Sequence, residues 1–167
     1  MKPVRTILVT SLLLTTVLCA IIYSACQKDQ CKNVTCLNLG YCNNGQCTCP
    51  VGYEGSRCDT LSRNKFVNTF NGWDSCGSGN SATGQYQIDF LAEAFNPPLQ
   101  MTMRHILNNW DDSAVCTMQS TDSFTFTGSN NSTTYSGWGR LSHDTLKIIT
   151  TVQIDTINFS CVYTGGI

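Results

Sequence analysis

The chain has 167 residues, of which only 13% are charged, and its formal net charge is -1. That balance leaves no basic stripe for a phosphate backbone and no polybasic patch for anionic lipid, so nucleic acid is not an expected partner. The length allows one ordinary domain or a small one joined to a medium one, and the crowding of cysteines into residues 31–58 favours the second.

The first element is a leader. MKPVR carries positive charge, and the apolar run TILVTSLLLTTVLCAIIYSA then ends on small residues before Cys26, which together make an export signal. The run approaches the ~20 residues that span a bilayer. YSAC at 23–26 resembles the bacterial lipobox, in which small residues precede a cysteine whose thiol accepts diacylglycerol. Ser24 and Ala25 fit, Tyr23 stands where an aliphatic residue is usual, and Cys19 after Val17 and Leu18 fits less well. The resemblance implies a lipoprotein signal peptide over 1–25, lipidation of Cys26 and a tether over 26–30. A retained helix or ordinary cleavage are the alternatives.

The second element is CKNVTCLNLGYCNNGQCTCPVGYEGSRC at 31–58, which has almost no large apolar residues with which to build a core. Export implies an oxidising compartment, where bridges replace a core of this size, although spacing by itself leaves the pairing open. The spacing, the CTC triplet and the GYEGSRC ending with Gly52, Tyr53 and Gly55 resemble an epidermal-growth-factor-like module. That resemblance implies disulfides Cys31–Cys42, Cys36–Cys47 and Cys49–Cys58 around two small hairpins. Zinc would call for separated close cysteine pairs in a reducing setting. Calcium would call for more oxygen ligands than Asp29 and Gln30 offer beside Gln27 and the short NNGQ segment. Neither metal is expected.

A polar link, DTLSRN at 59–64, leads into a β-domain over 65–167, where apolar and polar residues alternate between clusters of Gly, Asn, Ser and Pro. In chain order the candidate strands are KFVNTF, GQYQIDFL, LQMTMRHIL, AVCTMQ, SFTFTG, TYSGWGRL, TLKIITTVQI and FSCVYT. In the seventh, period-two alternation puts Leu146, Ile148, Thr150 and Val152 on one face. AEAF makes at most one helical turn before Pro97. The fold class is therefore mostly β, an antiparallel meander of about eight strands that closes into a barrel or folds as a sandwich. The passage from CPVGYEGSRC into KFVNTFNGWDSC, the GWGRLSHDTLKI hairpin and the closing NFSCVYTGG resemble small lipocalin-like domains that follow a growth-factor-like module in Bacteroidota-type surface lipoproteins. This resemblance implies a Cys76–Cys161 disulfide between the first and last strands. Cys116 is then left over and, within the strand pattern AVCTM, reads as buried and inert.

Groups for chemistry are few. His105 is read in a strand, His143 in a hairpin turn beside Asp144, and neither has a nucleophile in a recognisable context. WDDS at 110–113 reads as a surface loop, since adjacent carboxylates in extended chain point apart. Trp73, Trp110 and Trp138 read as core or rim packing before ligand platforms. No phosphate loop or nucleophile elbow is present, so neither an enzyme nor a cofactor is expected. Six of the nine aspartates precede Ser or Thr. Four of these, in DTL, DSA, DTL and DTI, resemble the O-glycosylation acceptor of exported Bacteroidota proteins, on Thr60, Ser113, Thr145 and Thr156, while ordinary turn chemistry explains the same pattern. Asn33, Asn130, Asn131 and Asn158 begin N-glycosylation sequons relevant to a eukaryotic source. The sequence thus points to a non-catalytic lipoprotein anchored to the bacterial outer membrane and exposed at the cell surface, with a β-domain that binds a protein or carbohydrate. A secreted growth-factor-like interaction factor is the alternative.

Overall fold

The computed structural model describes residues 14–17, 29–77 and 84–167. The cysteine-rich module is organised by a hairpin, β1 (Tyr41–Asn43) and β2 (Gln46–Thr48), joined by Asn44 and Gly45. Both turn residues have positive φ, 49° and 82°, the geometry that an Asn-Gly pair tolerates and that matches strand twist. Cys42 and Cys47 face each other across this hairpin, yet each bonds outward, Cys42 to Cys31 and Cys47 to Cys36. A third bridge, Cys49–Cys58, closes the final loop. Loops of this size are each worth roughly 3 kcal/mol in the chain-entropy model, which is what a module without a core requires.

Residues 59–64 are not a free link. Thr60–Leu61 form β4 against β3 (Tyr53–Glu54), and Ser62–Lys65 make a single 3-10 turn. The turn fastens the module to the barrel. Lys65 pairs with Glu54 at 2.7 Å, and the Arg63 guanidinium donates to the backbone carbonyls of Pro97 and Gln100 at 2.7 and 2.5 Å. KFVNTF consequently does not begin a strand. Phe66 leaves the turn and enters the base of the barrel, fully buried and edge-on to Phe124 at 5.3 Å, and the first barrel strand starts only at Thr69.

The β-domain is a closed barrel rather than a sandwich. Eight strands run up and down in sequence order. They are β5 (Thr69–Cys76), β6 (Tyr86–Leu91), β7 (Gln100–Arg104), β8 (Ser113–Met118), β9 (Ser123–Asn130), β10 (Thr133–Ser142), β11 (Thr145–Ile154) and β12 (Ile157–Gly166). β12 returns to pair with β5, so no edge is left exposed. The Cys76–Cys161 bond lies on this seam, between residues in register. Turns of two residues join β9 to β10, β10 to β11 and β11 to β12, each opening on a positive-φ residue with a compact polar side chain, Asn131, His143 or Asp155.

Period-two alternation divides the walls. Leu146, Ile148, Thr150 and Val152 all point inward, with Phe70, Phe90, Met101, Met103, Phe124 and Phe126 from other strands. The aromatic rings need room, and β10 provides it. Gly137 faces Phe126 and Gly139 faces Phe124 across the β9–β10 ladder, and a Cβ at Gly139 would lie 2.2 Å from the Phe124 ring. The GWG triplet thus seats two phenylalanines while Trp138 points out. Facing outward on the same strands are Thr125, Thr127, Thr134, Ser136, Lys147 and Thr151. The inside is apolar and the outside mostly polar, although Trp73, Val115, Trp138 and Ile157 are also exposed, whereas a barrel that crosses lipid carries an apolar band outside. Among the described residues no helix is long and apolar enough to cross a membrane.

Candidate binding site at the barrel mouth

Among the described residues, a small cavity lies within the barrel wall. It is about 10 Å³, lined by Asp74, Tyr86, Thr150 and Tyr163 among others, which is room for about one water. Tyr163 donates to the Phe70 carbonyl at 2.8 Å, and Tyr86 reaches Asp74 at 3.5 Å. Burial first, and then the charge of Asp74, pushes both phenols above their ordinary range. Asp74 also lies with Cys76 and Cys161 in the one cluster of potential metal ligands among the described residues, but the two sulfurs are bonded to each other and are not thiolates.

At the opposite end from the module, residues 105–112 cross from β7 to β8. LQMTMRHIL does not remain a strand to its end. The ladder stops at Arg104, and His105, Leu107 and Asn108 take left-handed backbone torsions of 64°, 53° and 61°. These reversals drop Ile106 into the core with Leu107 packed behind it, and leave Asn108 and Trp110 exposed. WDDS is accordingly not a simple surface loop. Asp111 is exposed, whereas Asp112 is only 2% exposed. Its carboxylate accepts from the Tyr135 hydroxyl, the Asn130 amide and the Asn109 amide, and its carbonyl accepts the His105 N–H at 3.0 Å. A buried carboxylate with three donors is satisfied, and it pins the loop to β9 and β10. Burial, then the bond to Asp112, raises the Tyr135 phenol.

The loop overhangs the outer face of β5 and β6 and forms an open groove of about 460 Å³ with it. Its polar lining is Asn71, Gln85, Gln87, Asn108 and His105, and its aromatic lining is the exposed Trp110 with the mostly buried Tyr86. Gln87 donates to Asn71 at 3.0 Å across the ladder. The His105 ring packs on Trp110, centroid to centroid 4.3 Å, and its Nδ1 stands 3.3 Å from Asp89, near enough to pair once protonated but outside hydrogen-bond geometry. The carboxylate beside a histidine is therefore Asp89, from β6. His143 and Asp144 sit exposed in the β10–β11 turn at the other end of the barrel, where His143 meets Ser142 at 3.4 Å. No sequence signal joins His105 to Asp89, because the contact follows from the β6–β7 register that sets Asp89 opposite Arg104.

Cys26 lies outside the described residues. Cys116 is fully buried and free, and burial holds its thiol well above the usual range. Thr60, Thr145 and Thr156 are exposed together with their preceding aspartates, whereas Ser113 is exposed behind the buried Asp112. Asn33, Asn131 and Asn158 are exposed, but the Asn130 amide is occupied by Asp112. Trp73, Trp110 and Trp138 all lie at the surface rather than in the core, 58%, 73% and 44% exposed.

No protein-family model matches the chain, and no curated protein matches it in sequence. Among solved structures it is similar to a Bacteroides fragilis protein described as a "putative outer membrane protein", with a TM-score of 0.41 and 14% identity over 64% of this chain. The match spans 52% of that protein, about half its length.

Proposed function

We propose that the protein is a non-catalytic surface lipoprotein of the bacterial outer membrane. A lipid on Cys26 anchors it, the growth-factor-like module is the spacer, and the barrel is the domain presented for binding or adhesion. The observation that carries this reading is the partition of the barrel wall. A mostly polar outer wall argues against a lipid-facing band, and the described inner cavity of about 10 Å³ is too small for a ligand. Attachment then falls to the leader, and recognition to the outer surface.

The module suits a spacer because it is cross-linked and docked. Arg63 ties it to Pro97 in the 92–99 loop and to Gln100 at the start of β7, so the binding surface at the mouth is held at the end remote from the module. A non-catalytic role accords with the use of Asp112 as a structural acceptor and with the isolation of His143. The test is expression with the native leader in a bacterial host fed a fatty-acid analogue. Label on the wild type, absent from Cys26→Ala, with surface protease access in intact cells, is the expected result. No label on either chain would refute the anchor.

A further inference from the structure

We propose that the groove between the outer face of β5–β6 and the 105–112 loop binds a neutral saccharide, one ring of which stacks on Trp110. This deepens the reading of the barrel as a binding domain and does not depend on the lipid anchor.

Four features of the groove converge on that ligand class. Its 460 Å³ falls within the ~300–1,000 Å³ usual for small-ligand sites, and it is an open trough able to take one part of a longer chain. Asn71, Gln85, Gln87 and Asn108 are amides, each carrying both donors and an acceptor, as sugar hydroxyls do. The Gln87 to Asn71 bond uses one donor and one acceptor and orients the pair, which leaves the Asn71 amino group and the Gln87 carbonyl for a ligand. Lys, Arg, Asp and Glu are absent from the lining among the described residues, so the site favours an uncharged ligand over a phosphate, a uronate or an acidic peptide.

Trp110 supplies the apolar part of the recognition. An indole 73% exposed on a polar surface is costly in water, and the C–H face of a pyranose ring covers such a surface well. The His105 ring at 4.3 Å fixes the indole's tilt from one side. The loop is also held in place before any ligand arrives, because Asp112 gathers Tyr135, Asn130 and Asn109 beneath it. Fixing the loop in advance reduces the entropy lost on binding. Three left-handed non-glycine residues within four positions are a local strain that this buried network sustains, and such strain concentrates at functional sites.

The experiment titrates the full chain, lipidated and as Cys26→Ala, with maltohexaose, xylohexaose, mannohexaose, cellohexaose and chitohexaose, followed by calorimetry and tryptophan fluorescence. At least one oligosaccharide is expected to bind with a Kd between about 1 μM and 1 mM. Trp110→Ala and Gln87→Ala should each weaken it by about tenfold or more, while Trp138→Ala, on β10, leaves it unchanged. All three side chains are exposed, so each variant should retain the wild-type melting curve as its folding control. No heat and no fluorescence change with any of the sugars at about 10 mM would overturn the proposal, as would binding that survives both groove variants. Sugar binding by a wild-type chain that takes up no fatty-acid label would refute the anchor and uphold the groove; fatty-acid label on the wild type without sugar binding would do the opposite.

Discussion

The hydroxyl of Tyr135 on β10 donates to the carboxylate of Asp112, 23 residues earlier at the foot of the mouth loop, and both side chains are buried. This bond ties a loop whose tip is in solvent to the barrel wall. Asp112→Ala would leave Tyr135, Asn130 and Asn109 without their shared acceptor, and a loss of roughly 3 kcal/mol is expected. Tyr135→Phe removes one donor of three and should cost about 1.5 kcal/mol. Urea denaturation of both variants checks the order; equal stabilities for wild type and Asp112→Ala would refute the network.

Alkaline pH should unfold the chain by a specific route. Tyr86, Tyr135, Tyr163 and Cys116 all have folded-state values raised by burial above the ordinary 10.0 for tyrosine and 9.0 for cysteine. A raised value means that the native state keeps protons which the unfolded chain releases, so stability falls as pH rises. The contribution is complete below about pH 9 and is lost progressively above it. Melting temperature followed by circular dichroism should hold level to about pH 8.5 and then decline, and a flat profile to pH 11 would contradict the burial of these groups. For the same reason iodoacetamide should leave Cys116 unmodified at pH 8 in the native chain and label it in guanidinium.

Gly139→Ala places a methyl where the Phe124 ring lies, 2.2 Å from its nearest carbon. Overpacking of this kind costs about 1–3 kcal/mol. The double change Gly139→Ala with Phe124→Leu should recover part of that loss, and equilibrium denaturation of the cycle measures the coupling. Additive effects would show that the ring and the glycine do not share the space.

The Cys76–Cys161 bridge joins residues 85 apart, on strands already paired through Gly72 and Gly165. Replacing both cysteines by Ser should lower stability by up to ~4.5 kcal/mol in the chain-entropy model. The barrel is nevertheless expected to close, with an unchanged far-ultraviolet spectrum, because the β5–β12 ladder is independent of the sulfur bond. Loss of the β signal in the double variant would show that the bridge is required for closure.

Much of the architecture was legible from local pattern. The alternation in TLKIITTVQI marks the inward face of β11 residue by residue, since period two is a property of the strand and not of its neighbours. Errors arose where packing overrides that pattern. KFVNTF alternates well enough, but Phe66 is needed to stop the base of the barrel and breaks the strand before Thr69. MRHIL reads as a continuing strand until Ile106 turns inward through left-handed residues to close the mouth. Asp112 reads as a loop carboxylate because its partners Asn130 and Tyr135 belong to later strands.

Local pattern is enough to establish that the chain is mostly β, that a cysteine-rich module precedes an antiparallel meander, and which residues of the longer strands face inward. Closure of the meander and the meeting of Asn71, Gln87, His105 and Trp110 in one groove emerge only once the strands are paired. The physical reason is the range of the information. Period and turn chemistry act over a few residues and report which way a side chain points, whereas strand partners, register and loop packing are set by contacts between segments distant in the chain.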